Sequence, residues 1–253
     1  MIDGNYTGYL PRDYASFPLG SSDFTKKWDA PLLSRQEAKE RSEYLIAKKL
    51  DPLSVAMKRK ATPTFQNSFG FCWAHAATMA LKIAFAQSGQ PVPRLSATSM
   101  ACIVKNFRDQ GGNAFESFPH MNKVGVCTVD TWPENSRDRS LDNPAMREEA
   151  ALYRATEWYE LPDGSDEHKW TALCSGFAIW SGYANIGHAM CSARYVDDGK
   201  PTSWDINSWN KDASAASEWQ DSWLGDRNVI WKRGGRDFSC FEQYAIRVST
   251  AAA

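Results

Sequence analysis

The chain has 253 residues, 43% of them hydrophobic and 23% charged, with 11 tryptophans and a net charge of −1. That supplies apolar surface for one large domain or two lobes sharing an interface, and the lack of a basic excess argues against a nucleic-acid partner. No apolar run approaches the ~20 residues that span a bilayer, and Met1-Ile2-Asp3-Gly4-Asn5-Tyr6 lacks the basic-then-apolar pattern of a secretory signal.

Residues 1–33 mix turn formers with aromatics (Tyr6, Tyr9, Pro11, Tyr14, Phe17, Pro18, Gly20) without a period, so they read as an extended arm laid over a surface. Ser34-Arg35-Gln36-Glu37 is a capping box that predicts a helix to about Leu50, ended by Asp51-Pro52. Lys58-Arg59-Lys60 is expected to be a solvated face rather than a binding patch. Cys72 opens an alanine-rich helix reaching about Ser88, with Ala76, Ala77, Ala80, Leu81, Ala84 and Phe85 as its expected buried stripe. Gly89, Pro91 and Pro93 close it. Ser96 opens a helix carrying Met100, Ile103, Val104 and Phe107, which closes at Gln110-Gly111-Gly112. A short helix with Phe118, Met121 and Val124 inward ends at Gly125, and Pro119 predicts that it starts late. Another helix is expected from Asn143 to about Leu152.

After residue 155 the texture changes. Thr156–Leu161, Phe177–Trp180, Ala189–Tyr195, Ser203–Asn207, Asn228–Trp231 and Tyr244–Val248 read as strands, with a helix over Ser165–Cys174. Strands at this spacing predict an antiparallel sheet or barrel. The chain therefore divides into an N-terminal arm with one helix (1–60), a helical lobe (61–155) and a β lobe (156–253), an α+β arrangement with a cleft between lobes.

The six cysteines, Cys72, Cys102, Cys127, Cys174, Cys191 and Cys240, form no CxxC pair and no zinc spacing, so neither metal nor cofactor is predicted. An even count permits disulfides. Without a signal, in a chain long enough to fold unstapled, reduced thiols in a cytoplasmic or assembly-associated, reducing setting are expected. Cys102, Cys127, Cys174 and Cys191 read as small core residues.

Cys72 is different because of its position. A thiol in a helix's first turn faces unpaired N–H groups and the positive end of the dipole, which favour the thiolate. By itself it is equally a core cysteine. However, Gly187-His188-Ala189 heads an apolar strand, and Ile206-Asn207-Ser208-Trp209 follows about one hairpin later. A nucleophile, a base and an orienting amide on neighbouring elements form a catalytic constellation. His75, three residues after Cys72, lies near the same helix face and is read as a core or inter-helix polar contact. His120 and His168 are read as structural.

Gln66-Asn67-Ser68-Phe69-Gly70-Phe71-Cys72-Trp73-Ala74, Leu95-Ser96, Gly111-Gly112, Lys123-Val124-Gly125-Val126, Thr131-Trp132-Pro133, Gly187-His188-Ala189 and Ile206-Asn207-Ser208-Trp209 occur in the order found in the papain-like cysteine peptidases, which the chain resembles over roughly residues 61–250. Cys240 falls where that family often has a late cysteine. The sequence also departs from the pattern. Phe69 stands where the family has a disulfide cysteine, which implies a loop held by packing, and His75 replaces a common aromatic. His188 follows Cys72 by fewer than the ~130–150 residues usual in the family. Asn210 replaces a glycine, and Lys211–Arg227 has no counterpart.

The resemblance implies a papain-like two-lobed fold, a helical lobe plus an antiparallel β-barrel-like lobe with the active-site cleft between them. It also implies a cysteine-type endopeptidase working on a peptide or protein substrate. Cys72 would be the nucleophile and His188 its base, together forming a thiolate–imidazolium pair with a thiol pKa of ~3–4. Asn207 would orient the imidazole and Trp209 would shield that contact. Gln66 and the Cys72 backbone N–H would form the oxyanion hole. Gly111 and Gly112 would let a substrate strand pair with the backbone, and Asn113, Ala114, Ile186 and Ala189 would line an apolar, open pocket.

The alternative is a structural or docking component of a larger assembly, such as a virus particle (a virion component), engaged through residues 1–60. A cell-wall thiol hydrolase is a third reading, disfavoured by Gly111-Gly112 and Asn207-Ser208-Trp209. The arm is expected to wrap the body without crossing Cys72.

Overall fold

Ser34 starts the first helix as its sequence dictates. Its hydroxyl accepts from the Glu37 N–H while the Glu37 carboxylate accepts from the Ser34 N–H, and α1 runs Arg35–Ala47. The computed structural model describes residues 8–12, 25–235, 238, 240 and 242–248, so the arm stretches 1–7 and 13–24 lie outside the described residues. Asp51-Pro52 does not simply end α1. Asp51 caps a second helix, α2 (Pro52–Lys58), with Pro52 in the first turn, where its missing N–H costs no bond.

Helix α3 (Cys72–Gln87) is buried on every side from Cys72 to Ala86, not along one stripe. Its many alanines let α2, α4 (Ala97–Val104) and α5 (Ala114–Lys123) approach it on one side and the sheet on the other. Helix α5 starts earlier than expected and keeps Pro119 inside. The reciprocal Asn113–Glu116 capping box fixes the start, and this outweighs the one backbone bond that proline removes. Helix α6 (Pro144–Ala150) completes the helical part.

The sheet contains β1 (Thr25–Lys27), β2 (Glu157–Leu161), β3 (Ile179–Tyr183), β4 (His188–Asp197), β5 (Pro201–Ile206), β6 (Ile230–Gly234) and β7 (Glu242–Arg247) in the order β1-β2-β7-β3-β4-β5-β6. All neighbours are antiparallel except β1 and β2. Helix α7 (Asp166–Cys174) packs on it, and a short α8 (Lys211–Ala215) follows β5. The two lobes meet through aromatic rings. Phe118 contacts Tyr244 with centroids 5.2 Å apart and Trp180 at 6.4 Å, and the Trp180 indole N–H donates to the Trp73 carbonyl at 2.9 Å. This seam fixes the start of α3 against β3 and β7.

Candidate active site

The loop into α3 is shaped by residues that accept unusual backbone. Asn67 has φ 56°, in the left-handed region that asparagine tolerates, and the Gly70 N–H is held by Asp109 Oδ1 at 2.8 Å. Phe69 stacks on Phe71 with centroids 5.3 Å apart and lies under the Arg137 guanidinium, so this loop is held by packing. All six cysteines carry free thiols.

Two further elements are drawn to this loop. The Gln66 N–H donates to the Ser208 carbonyl at 3.0 Å, and the Ser208 hydroxyl donates to Gln66 Oε1 at 2.5 Å. The Gln66 amide nitrogen is thereby turned toward the 69–72 loop, where it donates to the Phe69 carbonyl at 2.9 Å. His188 begins β4 immediately after Gly187, whose φ of 61° allows the tight reversal out of β3.

Asn207, just past β5, brings the polar groups together. Its Oδ1 accepts from the Ser208 N–H at 2.8 Å and its amide nitrogen donates to the Arg227 carbonyl, which fixes the amide's orientation. The same Oδ1 lies 2.8 Å from His188 Nε2. An oxygen can only accept, so Nε2 carries the proton and a neutral ring leaves Nδ1 with a lone pair. His188 Nδ1 is buried without a hydrogen-bond partner among the described residues. Trp209 stacks on the imidazole with centroids 4.5 Å apart and screens the Asn207 contact from water.

The arm corrects the expectation that it avoids Cys72. Gly8, Tyr9 and Leu10 lie in the groove as an added strand. The Tyr9 N–H donates to the Gly187 carbonyl at 2.9 Å, the Leu10 N–H to the Gly112 carbonyl at 3.0 Å, and the Gly112 N–H to the Gly8 carbonyl at 2.8 Å. The pairing of Tyr9 with Gly112 is parallel. Glycines make this crossing possible. A Cβ on Gly8 would stand 2.1 Å from the Gly70 carbonyl oxygen, and one on Gly111 would stand 2.3 Å from that of Gly8. Tyr9 fills the groove between Trp180 and Gly182.

Arg12 anchors the end of the segment. Its backbone N–H reaches Glu242 and its guanidinium pairs with Glu160. The sequence did not single out Glu160, Glu242 or Tyr244, because nothing local marks a strand residue as groove-facing.

Burial under the arm sets the protonation states. Desolvation pushes the Cys72 thiol up to about 11, although the N–H groups of Ala189, Gly8, Trp73 and Cys72 itself pull it down. Desolvation also pushes His188 down to about 4, against the favourable Asn207 contact, with Arg233 adding to the depression. In this closed form burial disfavours both charges of the expected thiolate–imidazolium pair, because removing water penalises each. Burial likewise pushes Glu242 up to about 7, opposed by the Arg12 N–H.

The remaining predicted residues fall as follows. Gly112 needs to be glycine because a Cβ would meet Trp73 and Glu116 at 2.8 Å. Asn113 caps α5 with its side chain, and Ala114 is buried in that helix's first turn. Ile186 packs against Tyr183, Met190 and Cys240, while Ala189 is buried beside Cys72. A cavity of about 510 Å³ lies elsewhere, between the end of α3 and the β2–β7 edge near Gln87, Phe177 and Arg247. The groove over Cys72 is not an open cavity because the arm fills it.

No family model matches the chain, and no curated protein does. Its fold is nevertheless shared with solved cysteine proteases. Xylellain, a cysteine protease from Xylella fastidiosa, is 15% identical with a TM-score of 0.58, covering 97% of each chain. Digestive procathepsin L 3 of the Tenebrio molitor larval midgut is 14% identical with a TM-score of 0.57, covering 74% of this chain and 66% of that one. A structure concerning the mite allergens Blo t 1 and Der p 1 is 17% identical with a TM-score of 0.57, covering 74% and 67%. The chain thus spans about two thirds of the length of procathepsin L 3 and nearly all of xylellain.

Proposed function

The chain has the papain-like two-lobed fold, and from that premise we propose that it is a cysteine-type endopeptidase held shut by its own N-terminal arm. The observation that carries this reading is the arm itself: a main chain hydrogen-bonded to Gly112 and Gly187, with the Gly8 N–H directed at the Cys72 sulfur. A groove that holds one extended peptide in this way, beside Cys72, His188 and Asn207, is built for peptides.

In the open form water returns to the groove and the penalty on charge falls. His188 Nδ1 takes the Cys72 proton, and the sulfur attacks the substrate carbonyl carbon. The carbonyl oxygen, now negative, faces the Cys72 N–H and the Gln66 amide. The proton passes from His188 to the leaving amine as the C–N bond breaks, giving a thioester. Water, deprotonated by His188, attacks the thioester, and the C–S bond breaks to release the acid and restore the thiol. Asn207 holds the ring for both transfers, and Gly111 and Gly112 seat the substrate strand. The likeness to proteases does not favour the alternative of a docking component, and nothing among the matches supports a virion role.

The test is labelling of the full chain by an epoxide thiol reagent, read by mass spectrometry. Gly8→Val, which drives a side chain into the Gly70 carbonyl, is expected to lift the arm and make Cys72 the first of the six thiols to react. The unmodified chain is expected to label slowly at neutral pH. If other thiols react while Cys72 in Gly8→Val stays unlabelled, Cys72 is not an activated nucleophile.

A further inference from the structure

Among the described groove residues 8–12, Arg12 is the charged one, and the socket that receives it is acidic. Arg12 is only 4% exposed. Its guanidinium is ion-paired with Glu160 on β2 and donates to the Tyr244 hydroxyl on β7 at 2.7 Å. Its central carbon lies 4.8 Å from the centroid of the Phe115 ring, at the start of α5. Its backbone N–H donates to Glu242 Oε1 at 2.5 Å, and Asp163 adds negative potential at Glu242. Residues 8–12 form one short run along the groove, so the surface they cover is uncovered when they lift. Glu160 then faces the groove without the guanidinium, and Glu242 without the backbone N–H, that Arg12 had brought to them. A neutral side chain placed there covers the Glu160 carboxylate without restoring this ion pair, whereas a cationic one restores it.

We infer that Glu160, Glu242, Tyr244 and Phe115 form a subsite for a cationic substrate side chain, arginine ahead of lysine. The preference for arginine follows from shape. A planar guanidinium reaches Glu160 and the Tyr244 hydroxyl together while lying on the Phe115 ring, which an ammonium does not. Gly8 addresses the thiol and Arg12 comes four residues later. At about 3.3 Å per residue the socket is then roughly 13 Å along the strand, placing the cation about four residues from the bond that is cut. The inference rests on the groove being the peptide site proposed above.

The test uses the full chain carrying Gly8→Val and Arg12→Ala, which lifts the arm and empties the socket. Two fluorescein-labelled peptides are compared by anisotropy: Gly-Tyr-Leu-Pro-Arg, the sequence of residues 8–12, and the same peptide ending in citrulline, which keeps the shape without the charge. The arginine peptide is expected to bind at least about tenfold more tightly, and Glu160→Gln is expected to remove the difference. Equal affinity, or no binding of either, overturns the subsite, as does a preference that survives Glu160→Gln. The citrulline comparison stands even if Glu160→Gln fails to fold. Hydrolysis separates the two readings. Preferential binding of arginine peptides that are never cut leaves the subsite and removes the peptidase. Cutting without regard to charge removes the subsite and leaves the peptidase.

Discussion

His75 lies one turn along α3 from Cys72, with Nδ1 2.6 Å from the Thr64 hydroxyl, and it is 1% exposed. It shares a cavity of about 10 Å³ with Thr64, Ala189, Asn207 and Ser208. Burial, with Lys82 and His188 nearby, pushes its pKa down to about 3 from an ordinary value of 6.5. The unfolded chain therefore binds a proton at pH 5 that the folded chain refuses, so this contribution is complete above pH 6.5 and shrinks as pH falls toward 3. Replacing His75 with glutamine keeps a partner for Thr64 and removes the titration. Between pH 6.5 and 5, the unmodified chain is expected to lose about 2 kcal/mol relative to His75→Gln in urea unfolding. Parallel pH curves for the two proteins would show that His75 is not held neutral. His188, lowered to about 4 by burial, adds a loss of the same sign in both proteins.

At the scale of elements, side-chain caps decide where helices begin, and here they also place the groove. Helix α5 starts at Ala114, one residue after Asn113 and two after Gly112, because Asn113 Oδ1 accepts from the Glu116 N–H at 3.2 Å and Glu116 Oε2 accepts from the Asn113 N–H at 3.2 Å. The Glu116 carboxylate also pairs with Lys105 at the end of α4. Asn113→Ala is expected to cost about 1 kcal/mol, read as a drop of roughly 2–4 °C in Tm for a chain of this size. An unchanged Tm would mean that α5 is placed by packing alone. Helix α1 began where its capping box predicted. The chain's other surprise, α2, rests on the same device, with Asp51 as cap and Pro52 in the first turn.

Across the molecule, residues 35–58 belong to the body rather than to a detachable arm. Leu53 and Ala56 are fully buried in the main core. Asp51 forms a buried ion pair with Arg194 on β4, Nε to Oδ1 2.9 Å, and Ser54 accepts from the same guanidinium at 2.9 Å. Arg35 pairs with Asp197 at 2.5 Å, and Arg41 donates to the Cys174 carbonyl at 2.8 Å. Asp51→Ala removes a cap and strands the Arg194 charge in the interior. It is expected to destabilise by about 3 kcal/mol or more, measured by denaturant unfolding. A loss below 1 kcal/mol would show that Arg194 finds water without rearranging the sheet. Ahead of this body-bound region, the described groove contacts are those of residues 8–12.

The sequence alone determined what depends on near neighbours: the capped starts of α1, α4 and α7, the long α3 opening at Cys72, most of the strands, and the spaced motifs that carry the papain-like resemblance. Cys72, His188 and Asn207 were named together because their short patterns occur jointly and in order along the chain. Tertiary structure decided what depends on distant groups. Asn113, named from sequence only as a pocket residue, is also the cap of α5 through Glu116. Pro119 looked like a helix start until that cap outweighed it. The arm has no period, and only folding shows Gly8 passing Gly70 at a distance no side chain permits, Arg12 meeting Glu160 at a sequence separation of 148, and the thiol being buried. That burial works against both charges of the expected ion pair. A charge state reflects solvent and partners gathered from the whole fold, which local sequence does not carry.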